Sequence, residues 1–229
     1  MGNIEELGAS IENVAREAQL SVDNDVYFAA GKDPYRPVMF GGQLDTSVAI
    51  FARDLGRQEV MLGEPLIGDA GQRVRRALYR IIAGQDASKG DLRLAATTDH
   101  VLLANTVPYK PVGNKAYPSD VRERFRPLIA ELLVCHWRGS HVITMGTEAF
   151  RWFAPYGPPD AAELFWKRLD RYEATFHCTL RAECNGLSVT KEVTVCPLPH
   201  PSPLNRAYLA RFPALLDARL RESPLVGGA

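Results

Sequence analysis

The chain has 229 residues, 46% of them apolar, and its 27 basic and 27 acidic residues leave a formal net charge of zero. This length and composition predict one α/β domain over residues 1–229, and the charge balance argues against a generally sticky nucleic-acid binder. No apolar run reaches the roughly 18 residues that span a bilayer and the N-terminus lacks a signal-peptide pattern, so we expect a cytoplasmic protein with no membrane partner.

Helical and apolar segments alternate along the chain. An amphipathic helix is predicted over residues 3–19, and further helical patterns lie near residues 70–83 and 119–134. Four short apolar runs are predicted to be strands, at residues 47–51, 100–104, 141–145 and 192–195. Buried parallel strands joined by crossover helices are the simplest account. The pattern therefore predicts a three-layer α/β/α sandwich with a central, mainly parallel four-stranded sheet.

A hairpin and a proline-rich loop are predicted near the C-terminal end. After a helical pattern near residues 160–171, two strand patterns flank Asn185-Gly186, a dipeptide that favours a tight turn, so we expect an extra β-hairpin near residues 173–195. It leads directly into CPLPHPSPLNR, residues 196–206, where four prolines surround His200. Because each proline fixes its own φ and restricts the preceding residue, the loop is expected to be stiff.

The four cysteines show no metal-binding or disulfide pattern. They include no CxxC pair, and a chain of this size does not need disulfide bonds to be stable. We therefore expect reduced, structural thiols at all four positions, which are Cys135, Cys178, Cys184 and Cys196.

Candidate site residues follow the predicted strands, because ligands of such sheets bind at the carboxyl ends of the strands. Asp54 comes after the first apolar run, Asn105 after the second and His200 after the last. A carboxylate, an amide and an imidazole are thus expected in one crevice. Plainer roles stay open: Asn105 as a turn cap, His200 in an ordinary turn, and Asp54 as a cap or a partner of Arg53 or Arg57.

Three segments, in chain order, resemble the motif regions of the iron–sulphur type of uracil-DNA glycosylase. They are GRQEVMLGEPLIGDAGQ at residues 56–72, LLANTVPYKP at residues 102–111 and HPSPL at residues 200–204, and the resemblance covers about residues 38–220. It implies a monomeric hydrolase of base excision repair that cleaves the N-glycosidic bond of a flipped-out uracil in DNA. Its partner would be uracil-containing DNA, and its products free uracil and an abasic site.

The resemblance also implies roles in binding DNA. In HPSPL, Ser202 and Pro203 compress the phosphate backbone, while Leu204 fills the gap that the extruded base leaves. Lys110 in the second motif and Arg206 after the third are further implied DNA contacts.

Four residues are assigned to the uracil pocket: Arg53, which is described below, and three residues to which the resemblance gives a role. Asn105 reads the base, because its amide donates to O4 and accepts from N3–H, a pattern that cytosine reverses. Leu66 stands where the family has an aromatic residue that stacks on uracil. Gly56 stands where the cluster-free class of these enzymes has a tyrosine that excludes the thymine methyl group.

The first motif departs from the iron–sulphur type at the catalytic position. Arg53, which we place in the uracil pocket, replaces an acidic residue of that type, while Asp54 matches the water-activating aspartate of the cluster-free class. The resemblance therefore implies Asp54 and His200 as catalytic residues. Glu59 and Glu64 are the rival carboxylates.

The cluster ligands of the iron–sulphur type are replaced in this sequence. Tyr109 and Phe125 stand at two cysteine positions of the family, and there is no N-terminal CxxC. Two aromatic rings are expected to fill the vacated volume and to brace the same loop. We therefore expect no iron, no zinc and no other cofactor.

Two other interpretations stay open. Arg53 and Leu66 are also consistent with a uracil-DNA binding protein that has little or no turnover. A phosphate-handling α/β enzyme that uses the helix start at residues 68–71 has less support, because this stretch lacks the lysine of a P-loop.

Overall fold

One mixed sheet forms the centre of the computed structural model, which describes residues 3–113, 115–201 and 206–225. Its strand order is β1-β3-β2-β4-β6-β5. The strands are β1 (Phe40–Gly42), β2 (Val48–Ala52), β3 (Leu102–Asn105), β4 (His141–Met145), β5 (Phe176–Cys184) and β6 (Leu187–Leu198). β3, β2, β4 and β6 are mutually parallel neighbours, which confirms the predicted parallel core of the sheet.

The two edges of the sheet differ from the prediction. β1 pairs antiparallel with β3, but its three residues, Phe-Gly-Gly, contain no apolar run that a sequence pattern could detect. At the other edge, the predicted hairpin is not separate from the parallel part of the sheet. β6 is one continuous strand of 12 residues that pairs with β5 at its start and with β4 at its end. The predicted hairpin strand and the predicted fourth parallel strand are therefore the same element.

The hairpin turn is formed by Asn185-Gly186, as predicted. Asn185 has φ 53° and Gly186 has φ 75°, the left-handed conformation that both central residues of this turn type require. The dipeptide is therefore the local cause of the strand reversal.

Helices cover both faces of the sheet, as a three-layer sandwich requires. Alternate side chains of β2 point to opposite sides: Ala49 and Phe51 belong to one apolar core, Val48 and Ile50 to the other. The first core is covered by α1 (Ile4–Glu17), α5 (Ser119–Glu131), the π-helical turn Leu132–His136, α6 (Thr147–Arg151) and α7 (Ala161–Trp166). The second is covered by α4 (Asp69–Ala83) and α9 (Phe212–Glu222).

Shorter helices complete the layers. They are α2 (Asn24–Ala29), α3 (Arg57–Leu62), α8 (Arg206–Leu209) and the 3₁₀ segments Leu92–His100 and Ala154–Tyr156. Within the described ranges, no helix combines the length and the apolar character needed to cross a bilayer.

The expectation of four reduced cysteines is wrong for one pair. Cys135 and Cys184 form a disulfide bond, whereas Cys178 and Cys196 are free and buried. The bond joins the π-helical turn after α5 to the end of β5. Because the two cysteines are 49 residues apart in sequence, no local spacing could have revealed the pair.

Candidate active site

The candidate site lies at the carboxyl edge of the parallel strands. β2 ends at Ala52, which lies in register with Asn105, the last residue of β3. Asp54 follows two residues after the end of β2, and His200 follows two residues after the end of β6. Because these strands run parallel, the three candidate side chains start from the same edge of the sheet, as the sequence predicts.

Thr106 fixes the backbone that leads to Asp54. Its N–H lies 2.9 Å from the carbonyl oxygens of both Ala52 and Arg53, and its Oγ1 donates to the Arg53 carbonyl at 2.6 Å. Thr106 is itself fully buried. The loops after β2 and β3 are thus joined by hydrogen bonds, a contact that no sequence pattern indicates.

Asp54 is a buried carboxylate, and one of its two oxygens is hydrogen-bonded. Its side chain is 2% exposed, and Oδ2 accepts a hydrogen bond from Arg53 Nε at 2.8 Å. Oδ1 is also buried and has no partner among the described residues. Burial raises the pKa of Asp54 to about 6, although Arg53, the Tyr117 backbone amide and Arg122 each oppose the shift. The group is therefore mainly ionised above pH 6 and has an oxygen available for a ligand.

Asn105 presents a similar unfilled acceptor. The residue is 2% exposed, and within the described ranges its Oδ1 has no hydrogen-bond partner. A buried amide oxygen without a partner costs about 1–3 kcal/mol, so such a group points to a bound molecule or water.

His200 approaches the end of β4 closely. Gly146 follows β4 with φ 93°, and a Cβ at this position would lie 3.0 Å from the Cβ of His200. Only glycine suits both the backbone angle and the close approach. Although part of His200 stays exposed, desolvation and the positive charge of Arg53 both lower its pKa. We therefore expect a neutral imidazole at pH 7.

Leu66 is held in a restricted backbone conformation. Its φ is 53°, which a non-glycine residue rarely adopts, and its side chain is buried in the core beside α4. Gly71 in the first turn of α4 packs against it, because a Cβ there would overlap the Leu66 carbonyl oxygen.

The rival carboxylates are engaged in structural contacts. Glu59 Oε1 accepts the Gly68 N–H at 3.0 Å, and a Cβ on Gly56 would lie 2.5 Å from Glu59 Oε2. Glu64 Oε1 accepts from Arg75 Nη2 at 2.8 Å, and Arg75 is buried. Both glutamates therefore hold the first motif together, whereas Asp54 retains an oxygen without a partner among the described residues.

Lys110 has an internal role rather than an exposed position. It is 3% exposed, and its Nζ lies 3.0 Å from Asp23 Oδ2 and from the Pro111 carbonyl and also contacts the Gly113 carbonyl. The predicted phosphate contact is not compatible with this placement, because the ammonium group is buried inside the chain. Asp23, 87 residues away, could not be recognised as its partner from the sequence.

Tyr109 and Phe125 pack against each other as expected. Both are fully buried, with ring centroids 5.7 Å apart. The Tyr109 hydroxyl also donates to the Tyr35 carbonyl at 2.6 Å. Within the described ranges, no group of three His, Cys, Asp or Glu side chains is placed to hold a metal ion.

Two residues that contribute to the site were missed. Tyr117 is 4% exposed, its backbone amide lowers the pKa of Asp54, and its hydroxyl has no partner among the described residues. Arg122 on α5 also acts on Asp54 and forms an ion pair with Glu148. Nothing in the irregular segment before α5 marks Tyr117 as part of a site.

Part of the DNA-binding prediction concerns residues that cannot be placed. Ser202, Pro203 and Leu204 lie outside the described residues, as does the side chain of Arg206. Three other arginines, Arg73, Arg76 and Arg80, line a groove of about 310 Å³ beside α9, and Arg80 pairs with Asp217 there.

A comparison with models of known protein families finds a match over most of the chain. Residues 38–222 fit the sequence model of the uracil DNA glycosylase superfamily, and this matched range includes Asp54, Asn105 and His200. Among curated proteins, none matches this chain.

Proposed function

Because the chain belongs to the uracil-DNA glycosylase superfamily, we propose that it hydrolyses the N-glycosidic bond of uracil in DNA and leaves an abasic site. One observation carries this proposal. Asp54 and Asn105, at the carboxyl ends of neighbouring strands, are both buried, and each has an oxygen without a partner among the described residues. A flipped nucleotide and a water molecule would satisfy both groups.

The chemistry requires opposite charges at the two halves of the breaking bond. As N1 of uracil separates from C1′, the sugar gains positive charge and the base gains negative charge. The Asp54 carboxylate stabilises the sugar cation and orients the water that attacks C1′. His200, neutral at pH 7, donates a hydrogen bond to uracil O2 as negative charge develops there.

Recognition of the base is assigned to Asn105. Its amide group donates to uracil O4, and its buried Oδ1 accepts from N3–H. Leu66 and Gly56 border the base, and Gly56 has no side chain to block a methyl group at C5. Selectivity against thymine therefore needs another group.

DNA binding is assigned to the loop after β6. Ser202 and Pro203 would hold the backbone, Leu204 would fill the gap in the stack, and Arg206 would contact a phosphate. Arg73 and Arg76, which line the groove beside α9 and form no ion pair with another described residue, extend this basic surface.

The test is cleavage of a duplex oligonucleotide that contains one uracil, followed by alkali to break abasic sites. Under single-turnover conditions Asp54→Asn and His200→Ala should each cleave about 10²–10⁴-fold more slowly, with DNA affinity changed only a few-fold. Glu59→Gln is the control, because Gln keeps an oxygen for the Gly68 N–H. If Asp54→Asn cleaves at nearly the wild-type rate while Glu59→Gln is inactive, the catalytic carboxylate is misassigned.

A uracil-DNA binding protein is the second candidate. The Arg53–Asp54 contact favours it, because this ion pair occupies one oxygen of the catalytic carboxylate. Tight, uracil-dependent binding without any abasic product from the wild-type protein would support this candidate instead.

A further inference from the structure

Arg53 occupies a fixed position at the start of the site. Its carbonyl oxygen accepts from the N–H groups of Thr106 at 2.9 Å and Val107 at 3.4 Å and from Thr106 Oγ1 at 2.6 Å. Its side chain is 37% exposed, and Nε lies 2.8 Å from Asp54 Oδ2. The Arg53 backbone is thus hydrogen-bonded to the loop that follows β3, while its guanidinium group contacts the neighbouring Asp54 carboxylate.

We propose that Arg53 is a positioning residue that orients the Asp54 carboxylate and holds it in its ionised form. This inference rests on the proposed glycosylase function. It assigns to a single cation both the orientation and the charge state that the reaction requires of the Asp54 carboxylate.

The geometry supports a fixed orientation of the carboxylate. A hydrogen bond from Nε to Oδ2 leaves Oδ1 as the oxygen that can face water or the sugar. Because the contact joins adjacent residues on a backbone that Thr106 holds, little freedom has to be lost to form it. Asp54 is therefore presented with one oxygen bound and the other open.

The charges around Asp54 favour Arg53 as the controlling group. After burial, Arg53 exerts the largest effect on the pKa of Asp54, and it lowers that pKa. Arg122 acts in the same direction but forms an ion pair with Glu148, and Tyr117 acts through a hydrogen bond from its backbone N–H rather than through a net charge.

The charge of Arg53 also favours the neutral form of the imidazole. Desolvation and then the charge of Arg53 lower the pKa of His200. Loss of Arg53 would thus make the carboxylate easier to protonate and the imidazole easier to charge. Both changes reduce the active form of the enzyme at mildly acidic pH.

The experiment is the pH dependence of single-turnover uracil cleavage in Arg53→Gln, Arg53→Lys and the wild type. We expect the acid limb of the profile, near pH 6 in the wild type, to move upwards by about one pH unit or more in Arg53→Gln. Arg53→Lys should restore part of this shift. Arg57→Gln is the matched control, because it removes an exposed arginine of the same loop and helix start and should leave the profile in place.

A second readout is independent of activity. The ¹³C resonance of the Asp54 carboxyl group, assigned with Asp54→Asn, should titrate at higher pH in Arg53→Gln than in the wild type. If this titration is unchanged, or if Arg57→Gln shifts it equally, the inference is wrong. If the titration shifts but the wild type releases no uracil, the proposed function fails while the charge-setting role of Arg53 stands.

Discussion

Asp54 combines features that oppose stability and favour reactivity. Its carboxylate is buried, its pKa is raised to about 6, and one oxygen has no partner within the described part of the chain. In an unliganded protein such a group costs free energy at neutral pH, because desolvation disfavours the charged form. Perturbed groups of this kind concentrate at functional sites.

The first prediction is that Asp54→Asn stabilises the protein at neutral pH. Because the folded pKa, about 6, lies above the unfolded value near 4, the native state binds more protons between these values, and the ionised group destabilises the fold above pH 6. The variant should gain up to about 3 kcal/mol at pH 7.5 and much less at pH 4.5, measured by urea unfolding. An equal gain at both pH values would show that Asp54 does not titrate in this range.

The second prediction concerns base selectivity. Asn105→Asp should lower single-turnover excision of uracil by about 10–10²-fold, because a carboxylate cannot donate to O4. Excision of cytosine should rise relative to uracil, since a carboxylate accepts from the cytosine amino group. Asn105→Ala is the control: it loses the contacts to uracil and gains none to cytosine. If both variants show the same preference for uracil over cytosine, another residue recognises the base.

The positions of the candidate site residues were predictable where the topology alone determines them. Asp54, Asn105 and His200 follow strands, and the carboxyl ends of parallel strands share an edge. Lys110 was misassigned because its burial depends on Asp23, which only the folded chain brings near. Tyr117 was missed for the same reason, since its role depends on contact with Asp54 and on no local pattern.

At the scale of elements, Lys110 joins the N-terminal segment to the loop after β3. The Lys110 carbonyl accepts the Asp23 N–H at 3.0 Å, the Lys110 N–H donates to the Tyr27 hydroxyl at 3.0 Å, and Val22 bridges Pro111. The Lys110–Asp23 ion pair lies within this contact region. This region braces the second motif from the side where the Tyr109–Phe125 pair also packs.

The third prediction tests this brace. Asp23→Asn should destabilise the protein by about 3–5 kcal/mol, because the Lys110 ammonium stays buried without its carboxylate, whereas Lys110→Met should cost less. The pKa of Asp23 is lowered, mainly by Lys110, so the pair stabilises the fold above about pH 4 and this contribution is lost as the pH falls through the folded pKa. Urea unfolding at pH 7 and pH 3 measures both effects. If Asp23→Asn changes the free energy of unfolding by less than about 0.5 kcal/mol, the ion pair does not brace the second motif.

The fourth prediction concerns the disulfide bond between the hairpin and the π-helical turn. Cys135→Ser with Cys184→Ser should lower the free energy of unfolding by about 4 kcal/mol, the chain-entropy value for a loop of this length. Cys178→Ser is the control, because this free thiol closes no loop. Thiol titration of the unfolded wild type should find two free thiols. Four would show that the bond does not form in the protein.

Strand patterns recovered the centre of the sheet but not its edges. The apolar runs of the parallel strands are buried on both faces and are visible in the sequence. β1 is too short and too rich in glycine to give a pattern, and the continuity of β6 is hidden because its first half is exposed and its second half is buried.

For the whole molecule, two apolar cores share one sheet, and we propose that residues 1–229 form one domain. α4, which follows the first motif, and α9, which follows the proline-rich loop, cover the same core. Arg80 on α4 forms a two-point contact with Asp217 on α9. The segments on either side of the site are therefore held to each other as well as to the sheet.

The fifth prediction is that the fold needs no metal. The sequence resemblance implies that Tyr109 and Phe125 replace two cluster cysteines of the iron–sulphur type, and the rings of these two residues are buried and pack against each other. Purified protein should be colourless and contain no stoichiometric iron by elemental analysis, and a chelator should leave Tm unchanged. Absorption near 400 nm that accompanies iron would show that Tyr109 and Phe125 do not stand at cluster positions.

Because β6 is long, the hairpin turn at one end of this strand lies far from the candidate site at the other end, which makes the turn useful for labelling. Its 12 residues span roughly 35–40 Å from the Asn185-Gly186 turn to the edge that carries His200. The turn is exposed, and exposed turns tolerate insertions better than other sites. A fluorophore or an affinity peptide attached there would therefore report on DNA binding, or immobilise the protein, from a place that a duplex bound at the opposite edge does not reach.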